Sequence, residues 1–216
     1  MNHKAKTIVI VLFFLFVLHI IYGTPVDFAF AFLYKTGKGE IKAVDYSEAG
    51  MVLQQEDQLK IYLKPGKGLF LYLFLYDAEG RLYLLYPLDF ADFSSSPYGE
   101  GVYIPRELEW FPLEGSGEER FYLVASINRL KQLEESMEYY SRVSNSDKTE
   151  RKRLAEAKQN VLENIRELQV KNFDLVKKAK ENIVFVAGEF RGFEEEFPAE
   201  VINVAGFYSR VIRIIH

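Results

Sequence analysis

The stretch Leu69–Pro87, LFLYLFLYDAEGRLYLLYP, restricts the fold more than any other part of the chain. Two apolar runs flank Asp77-Ala78-Glu79-Gly80, a polar cluster ending in glycine, which is the pattern of a β-hairpin. Successive side chains of a strand alternate between faces. Leu69, Leu71, Leu73 and Leu75 therefore share one face, and Phe70, Tyr72, Phe74 and Tyr76 the other. A four-residue turn pairs Tyr76 with Arg81, Phe74 with Tyr83 and Leu75 with Leu82. One face is then aliphatic and the other aromatic, and neither alternates with charge. Such a ribbon belongs at the centre of a fold, covered on both sides.

The remaining chain supplies more strands. Val26–Tyr34 alternates, Lys35–Gly39 reads as a turn, and Glu40–Tyr46 is its return. Lys64–Gly68 is a second turn, linking Leu59–Leu63 to the hairpin. Neither glycine-lysine cluster has the spacing of a phosphate loop. Phe121–Ala125, Ile183–Ala187 and Val201–Ile215, with a break near Gly206, read as further strands. Tyrosine and phenylalanine suit a pleated surface, so an aromatic content of 15% supports a β-rich core.

Helical periodicity occurs in one region only. Leu130, Leu133, Met137 and Tyr140 recur at spacings of three and four. After Ser144–Asp147, with Asp147 and Glu150 resembling a capping box, a longer helix is expected from about Lys148 to Lys180. Its near-heptad stripe is Leu154, Val161, Ile165, Leu168, Leu175 and Ala179, with Asn172 on the same seam. One matched stripe per helix favours an antiparallel hairpin closing on itself and on the sheet; a coiled-coil arm that docks a partner is the alternative. The expected fold is thus mainly β with an α insertion (α+β): an antiparallel β-sandwich with a helical hairpin, 127–182, inserted before the last strands. With 216 residues, 49% of them hydrophobic, residues 24–216 suit one domain.

Residues 1–23 read as a signal peptide or an N-terminal anchor. Lys4 and Lys6 precede an apolar run, Ile8–Tyr22, interrupted only by His19. The run is short for a spanning helix, which takes about 20 apolar residues. Cleavage after Gly23 is preferred over the small-x-small site at Ala29-Phe30-Ala31, which would cut into a strand. Removing 1–23 takes away two lysines and no acid, so the net charge moves from −4 to −6. The expected location is periplasmic or secreted, with membrane contact only through an uncleaved segment at residues 7–22.

Several chemistries are excluded. The chain has no cysteine, so disulfides, thiolate metal sites and cysteine nucleophiles are impossible. Its three histidines are His3, His19 and His216, two of them in the N-terminal segment. A histidine-based triad or imidazole zinc site has almost nothing to use. The charge balance lacks the basic footprint of a nucleic-acid binder. No cofactor or metal is expected.

The longest irregular stretch is Leu88–Pro112, with Val102-Tyr103-Ile104 as a short strand inside it. Long loops often carry function. This one is acidic, and Asp89, Asp92, Glu107, Glu109 and Trp110 are its candidate binding residues. Its acids are too scattered for a calcium loop. Paired carboxylates near Trp110 could serve a glycan hydrolase, or the loop could bind a carbohydrate or peptide. A third possibility is a ligand platform on Phe70, Tyr72, Phe74, Tyr76 and Tyr83, if that face is bare.

One ordered set of motifs is more specific. Tyr72-Leu73-Phe74, Asp77, Gly80 and Leu84-Leu85-Tyr86-Pro87 are followed by Ile104-Pro105 and by Phe121–Ser126. Over Val52–Ser126 the chain resembles the family called domain of unknown function 4384, whose upstream Gly-Asp pair survives only as Asp57. The resemblance implies a β-sandwich module of bacterial envelope or secreted proteins, often appended to other domains. It carries over no catalytic residue. The expected role is a non-catalytic interaction module or scaffold with an unknown envelope protein as partner.

Overall fold

A computed structural model describes residues 26–45, 50–94, 99–106, 109–113, 115–146, 150–170, 177–186, 194–204 and 206–216. Two sheets face each other. The first contains β1 (Val26–Lys35), β2 (Ile41–Ala43), β4 (Gln58–Lys64), β7 (Val102–Ile104), β8 (Phe111–Pro112), β10 (Lys177–Val186) and β11 (Glu194–Val204). Its order is β10-β11-β1-β4-β7, with β2 on β1 and β8 on β4. The second contains β3 (Met51–Val52), β5 (Phe70–Tyr76), β6 (Leu82–Tyr86), β9 (Glu118–Ser126) and β12 (Phe207–Ile215), in the order β3-β12-β9-β5-β6. All pairings are antiparallel except β3 with β12, which is parallel.

Between the sheets the alternation expected from sequence packs as a core. Phe28, Phe30 and Phe32 of β1 and Leu59, Ile61 and Leu63 of β4 meet Leu71 and Leu73 of β5 and Phe121 and Leu123 of β9. Phe32 and Phe121 cross edge-to-face at 5.1 Å, an arrangement that suits the ring quadrupoles. The aliphatic face of the hairpin is therefore covered by the other sheet.

Its aromatic face is covered by helices. Between β9 and β10 run α1 (Lys131–Ser144) and α2 (Arg151–Val170). Leu133, Met137, Tyr140 and Val143 of α1, with Ala157, Val161 and Ile165 of α2, bury against Tyr72, Phe74 and Val124. Phe90 and Phe93 of a 3-10 helix, Phe90–Ser94, complete this second core. Both helical stripes are core, so the aromatic face is no ligand platform.

Several boundaries differ from expectation. The hairpin register is one residue longer: Tyr76 pairs with Leu82, Leu75 with Tyr83 and Phe74 with Leu84. The cause is Asp77, which is buried. Its Oδ1 accepts the Arg81 N–H at 2.7 Å, its own N–H bonds the Arg81 carbonyl at 3.0 Å, and Gly80 closes the turn at φ 78°. A one-residue shift exchanges the faces of the return strand. Leu82 and Leu84, rather than Tyr83, therefore complete the helix-covered face. A register shift at Leu73/Phe74 then pairs Leu73 with Tyr86. The return strand β6 is an edge, and Tyr83 is exposed.

The helical insertion is also shorter than 127–182. Helix α1 starts at Lys131, α2 ends at Val170, and Lys177–Val186 is strand, so Ala179 belongs to the sheet and not to the helical seam. Ten paired positions with β11 outweigh the helix propensity of its lysines and Glu181. Glu194-Glu195-Glu196 opens β11 instead of lying in a loop. Asp147, Asn172 and Leu175 lie outside the described residues, as does the whole segment 1–23.

Candidate functional site

At one side of the sandwich the last strands of the two sheets, β6 and β7, come together around a cleft of about 520 Å³. One wall is Leu85, Tyr86, Pro87 and Leu88, from the end of β6. The other is Val102, Tyr103, Ile104, Pro105 and Arg106, from β7 and its exit. Asp92 and Glu109 supply carboxylates. The floor is continuous with the inter-sheet core, against which Leu85, Tyr86, Val102 and Ile104 pack. Leu88 stands on the lip with 65% of its surface exposed, the most solvated large apolar side chain of the region.

Each wall follows from local sequence. Pro87 and Pro105 directly follow their strands and end the ladder there, since proline has no N–H to donate. Gly101 leads into β7 beneath Tyr62: a Cβ at that position would lie 2.2 Å from the Tyr62 ring. Tyr103 rests on Tyr62 at a centroid distance of 5.2 Å, and burial pushes its phenol up to about 12.

The five loop residues singled out from sequence do not form one cluster. Asp92 and Glu109 line the cleft. Asp89 lines a neighbouring depression against α1, beside Met137 and Arg142, with Leu88 as the ridge between the two. Asp89 Oδ1 accepts the Ala91 N–H at 2.8 Å and Asp92 Oδ2 accepts the Asp89 N–H at 3.2 Å, so both carboxylates brace the 3-10 helix. Trp110 packs on the outer face of the first sheet, with Lys35 and Lys60 Nζ at 5.1 and 5.3 Å from its ring. Glu107 lies outside the described residues.

Two polar arrangements carry no sequence signature. The fully buried Lys60 donates from Nζ to the Glu109 carbonyl at 2.5 Å, fixing the strap that carries the cleft's acid, and burial holds its pKa below the usual lysine range. Over the second sheet Glu134, on the inner face of α1, is buried. It accepts the Tyr72 hydroxyl at 2.6 Å and the Arg129 guanidinium through both oxygens. Arg129 also reaches the Phe90 carbonyl at 3.4 Å and lies over the Phe93 ring. The network ties α1, β5 and the 3-10 helix together below the cleft's lip. Tyr140 adds another tie, its hydroxyl accepting the Leu82 N–H of edge strand β6 at 3.2 Å.

Among the described residues no group of three or more histidines, aspartates or glutamates could hold a metal ion. Nor is any described helix long and apolar enough to cross a membrane.

The fold and the cleft define an α+β sandwich with a groove at its open side and a helical pair on one outer face. Residues 52–129 match the model of the family described as Domain of unknown function (DUF4384). That segment contains every residue of the cleft, whereas β1, both helices and β10–β12 lie outside it. No curated protein and no solved structure matches the chain.

Proposed function

We propose that this chain is an exported, non-catalytic interaction module that holds a partner polypeptide of the cell envelope in the cleft between β6 and β7. The observation that carries this reading is the cleft itself: half-buried apolar walls, an exposed leucine on the lip, and charge confined to its margins. Residues 88–112 contain five carboxylates and one basic residue, Arg106, so the complementary surface is basic. The basic-then-apolar segment 1–23 supports export, to the periplasm or outside the cell. Carboxylate-based glycan hydrolysis is the weaker reading, because Asp89 and Asp92 already accept backbone N–H groups and line different depressions.

The test is site-specific photocrosslinking in cells, with the probe at Leu88 or, as control, at the exposed Val52 far along the sheet. The expected result is a discrete protein adduct from Leu88 and none from Val52. The protein identified in that adduct, once purified, should then shield Leu88 and Val102 of this chain from hydroxyl radicals. Equal adducts at both positions, or an identified protein that leaves the cleft unshielded, would overturn the reading.

A further inference from the structure

We infer that Glu119 and His216 form a proton-dependent latch at one end of the layer between the sheets. While the pair holds a proton, the end of β12 stays closed on β9; loss of that proton strands a carboxylate there and loosens the closure. The latch is independent of what the cleft holds.

His216 directly follows β12. Its N–H bonds the Gly117 carbonyl at 3.1 Å and its carbonyl accepts the Gly117 N–H at 2.8 Å, so the β12–β9 ladder continues past Ile215. By alternation His216 shares the face of Ile212 and Ile214, and Glu119 that of Phe121 and Leu123. This is the face turned to the other sheet. The imidazole is fully buried, and the Glu119 side chain is 14% exposed. His216 Nε2 stands 3.4 Å from Glu119 Oε1. Both ring nitrogens and Glu119 Oε2 are nevertheless buried without a hydrogen-bond partner. Such atoms are costly unless something satisfies them, and here they belong to an acid and a base side by side.

The surrounding charges sharpen the need for a proton. One step beyond the Tyr76–Arg120 pair, Asp77 lies opposite Glu119 and is buried. Asp77 has its own partner in Arg81, whose Nε lies at 2.6 Å. Glu119 has the Ala78 N–H and His216. Glu118, Arg120 and Arg213 alternate to the other face of the sheet, where they pair with one another. At this end the first sheet and the turn leading into it bring Tyr34 and Asp57, neither of them a cation; Asp57 Oδ2 takes the Gln54 N–H at 2.9 Å. Burial and the Asp77 charge push the Glu119 carboxyl above its ordinary value. A proton on either member of the pair relieves the site, as a neutral acid or as an ion pair. A proton bound more tightly in the closed form stabilises that form, and the contribution is lost as pH rises and the proton leaves.

The experiment is amide hydrogen exchange on the purified full chain from about pH 5 to about pH 9, corrected for the intrinsic rate of each amide. The amides of Gly117, His216 and Leu53 report on the latch, since the Leu53 N–H bonds the Ile215 carbonyl at 2.8 Å. The control is Asn145 at the end of α1, whose N–H bonds the Ser141 carbonyl. Protection of the three reporters should fall as pH rises, about tenfold for each unit by which the closed pair binds its proton more tightly than the open one. Asn145 should not follow. Glu119→Gln keeps the shape and carries no charge, so its reporters should be as protected at high pH as at low. His216→Gln should move the loss to lower pH, because one proton-binding group then remains of two. A flat profile in the parent, a slope as steep in Glu119→Gln, or a His216→Gln profile superposable on the parent's would overturn the inference.

Discussion

Replacing Tyr72 by phenylalanine removes one oxygen from the polar network under α1 and nothing else from the ring's packing. The hydroxyl donates to Glu134 Oε1 at 2.6 Å and accepts the Leu130 N–H at 3.1 Å. Tyr72 is fully buried, and Glu134 is 5% exposed. A hydrogen bond to a charged group contributes about 1.5–3 kcal/mol, and a buried donor left unsatisfied costs about 1–3 kcal/mol. Arg129 still pairs with Glu134, so the loss is partial, and the sum should be about 3 kcal/mol. With a urea m-value of about 3 kcal/mol/M, the midpoint moves down by about 1 M. Urea unfolding followed by circular dichroism reads this directly, with exposed Tyr83→Phe as a control that should shift nothing. The Tyr72→Phe/Glu134→Met cycle should give a coupling of at least about 1 kcal/mol. A loss below about 0.5 kcal/mol, or additivity in the cycle, would refute the network as what holds α1 to the sheet.

Glu118 on β9 accepts from Arg213 and Arg120, and these two guanidinium groups pull its carboxyl down to about 2. A depressed carboxyl stabilises the fold above its unfolded value, and that contribution fades as pH falls from the ordinary carboxylate range toward 2. Acid titration of stability should therefore be flatter for Glu118→Gln than for the parent over pH 5–2; identical curves would contradict the pairing. Gly101→Ala places a methyl against the Tyr62 ring beneath β7. It should cost about 1–3 kcal/mol in thermal unfolding by overpacking, whereas Gly99→Ala, with open space around it, pays only for its positive φ.

Alternation made the hairpin legible, because leucine and aromatic residues at period two assign faces without any tertiary knowledge. The register was not legible. It depends on a buried Asp77 carboxylate taking the Arg81 N–H, and burial of an aspartate is not written in a polar turn. The stripes of α1 and the first half of α2 could be read because each has one apolar face. The end of α2 could not, since Lys177–Glu181 favours a helix locally and is strand through its long-range pairing with β11. Of the acids that composition singles out in the long loop, Asp92 and Glu109 line the cleft. Trp110 and Glu109 are neighbours in sequence, but Trp110 packs on the outer face of the first sheet while Glu109 lines the cleft. The apolar walls come from the ends of β6 and β7, where Tyr86-Pro87 and Ile104-Pro105 carry the family resemblance but no sequence sign of a shared surface. Nothing in the run Leu59–Leu63 signals that the Lys60 ammonium serves the Glu109 carbonyl, a contact made across 49 residues of sequence.

Hydroxyl-radical footprinting of the native chain tests most directly whether both faces of the ribbon that turns at Asp77 are dry. Tyr72, Phe74 and Leu73 should stay unmodified until global unfolding, while Tyr83, Leu88 and Val52 oxidise at once. Oxidation of Tyr72 and Phe74 at the rate of Tyr83 would mean that α1 and α2 do not cover the sheet, and would contradict the account.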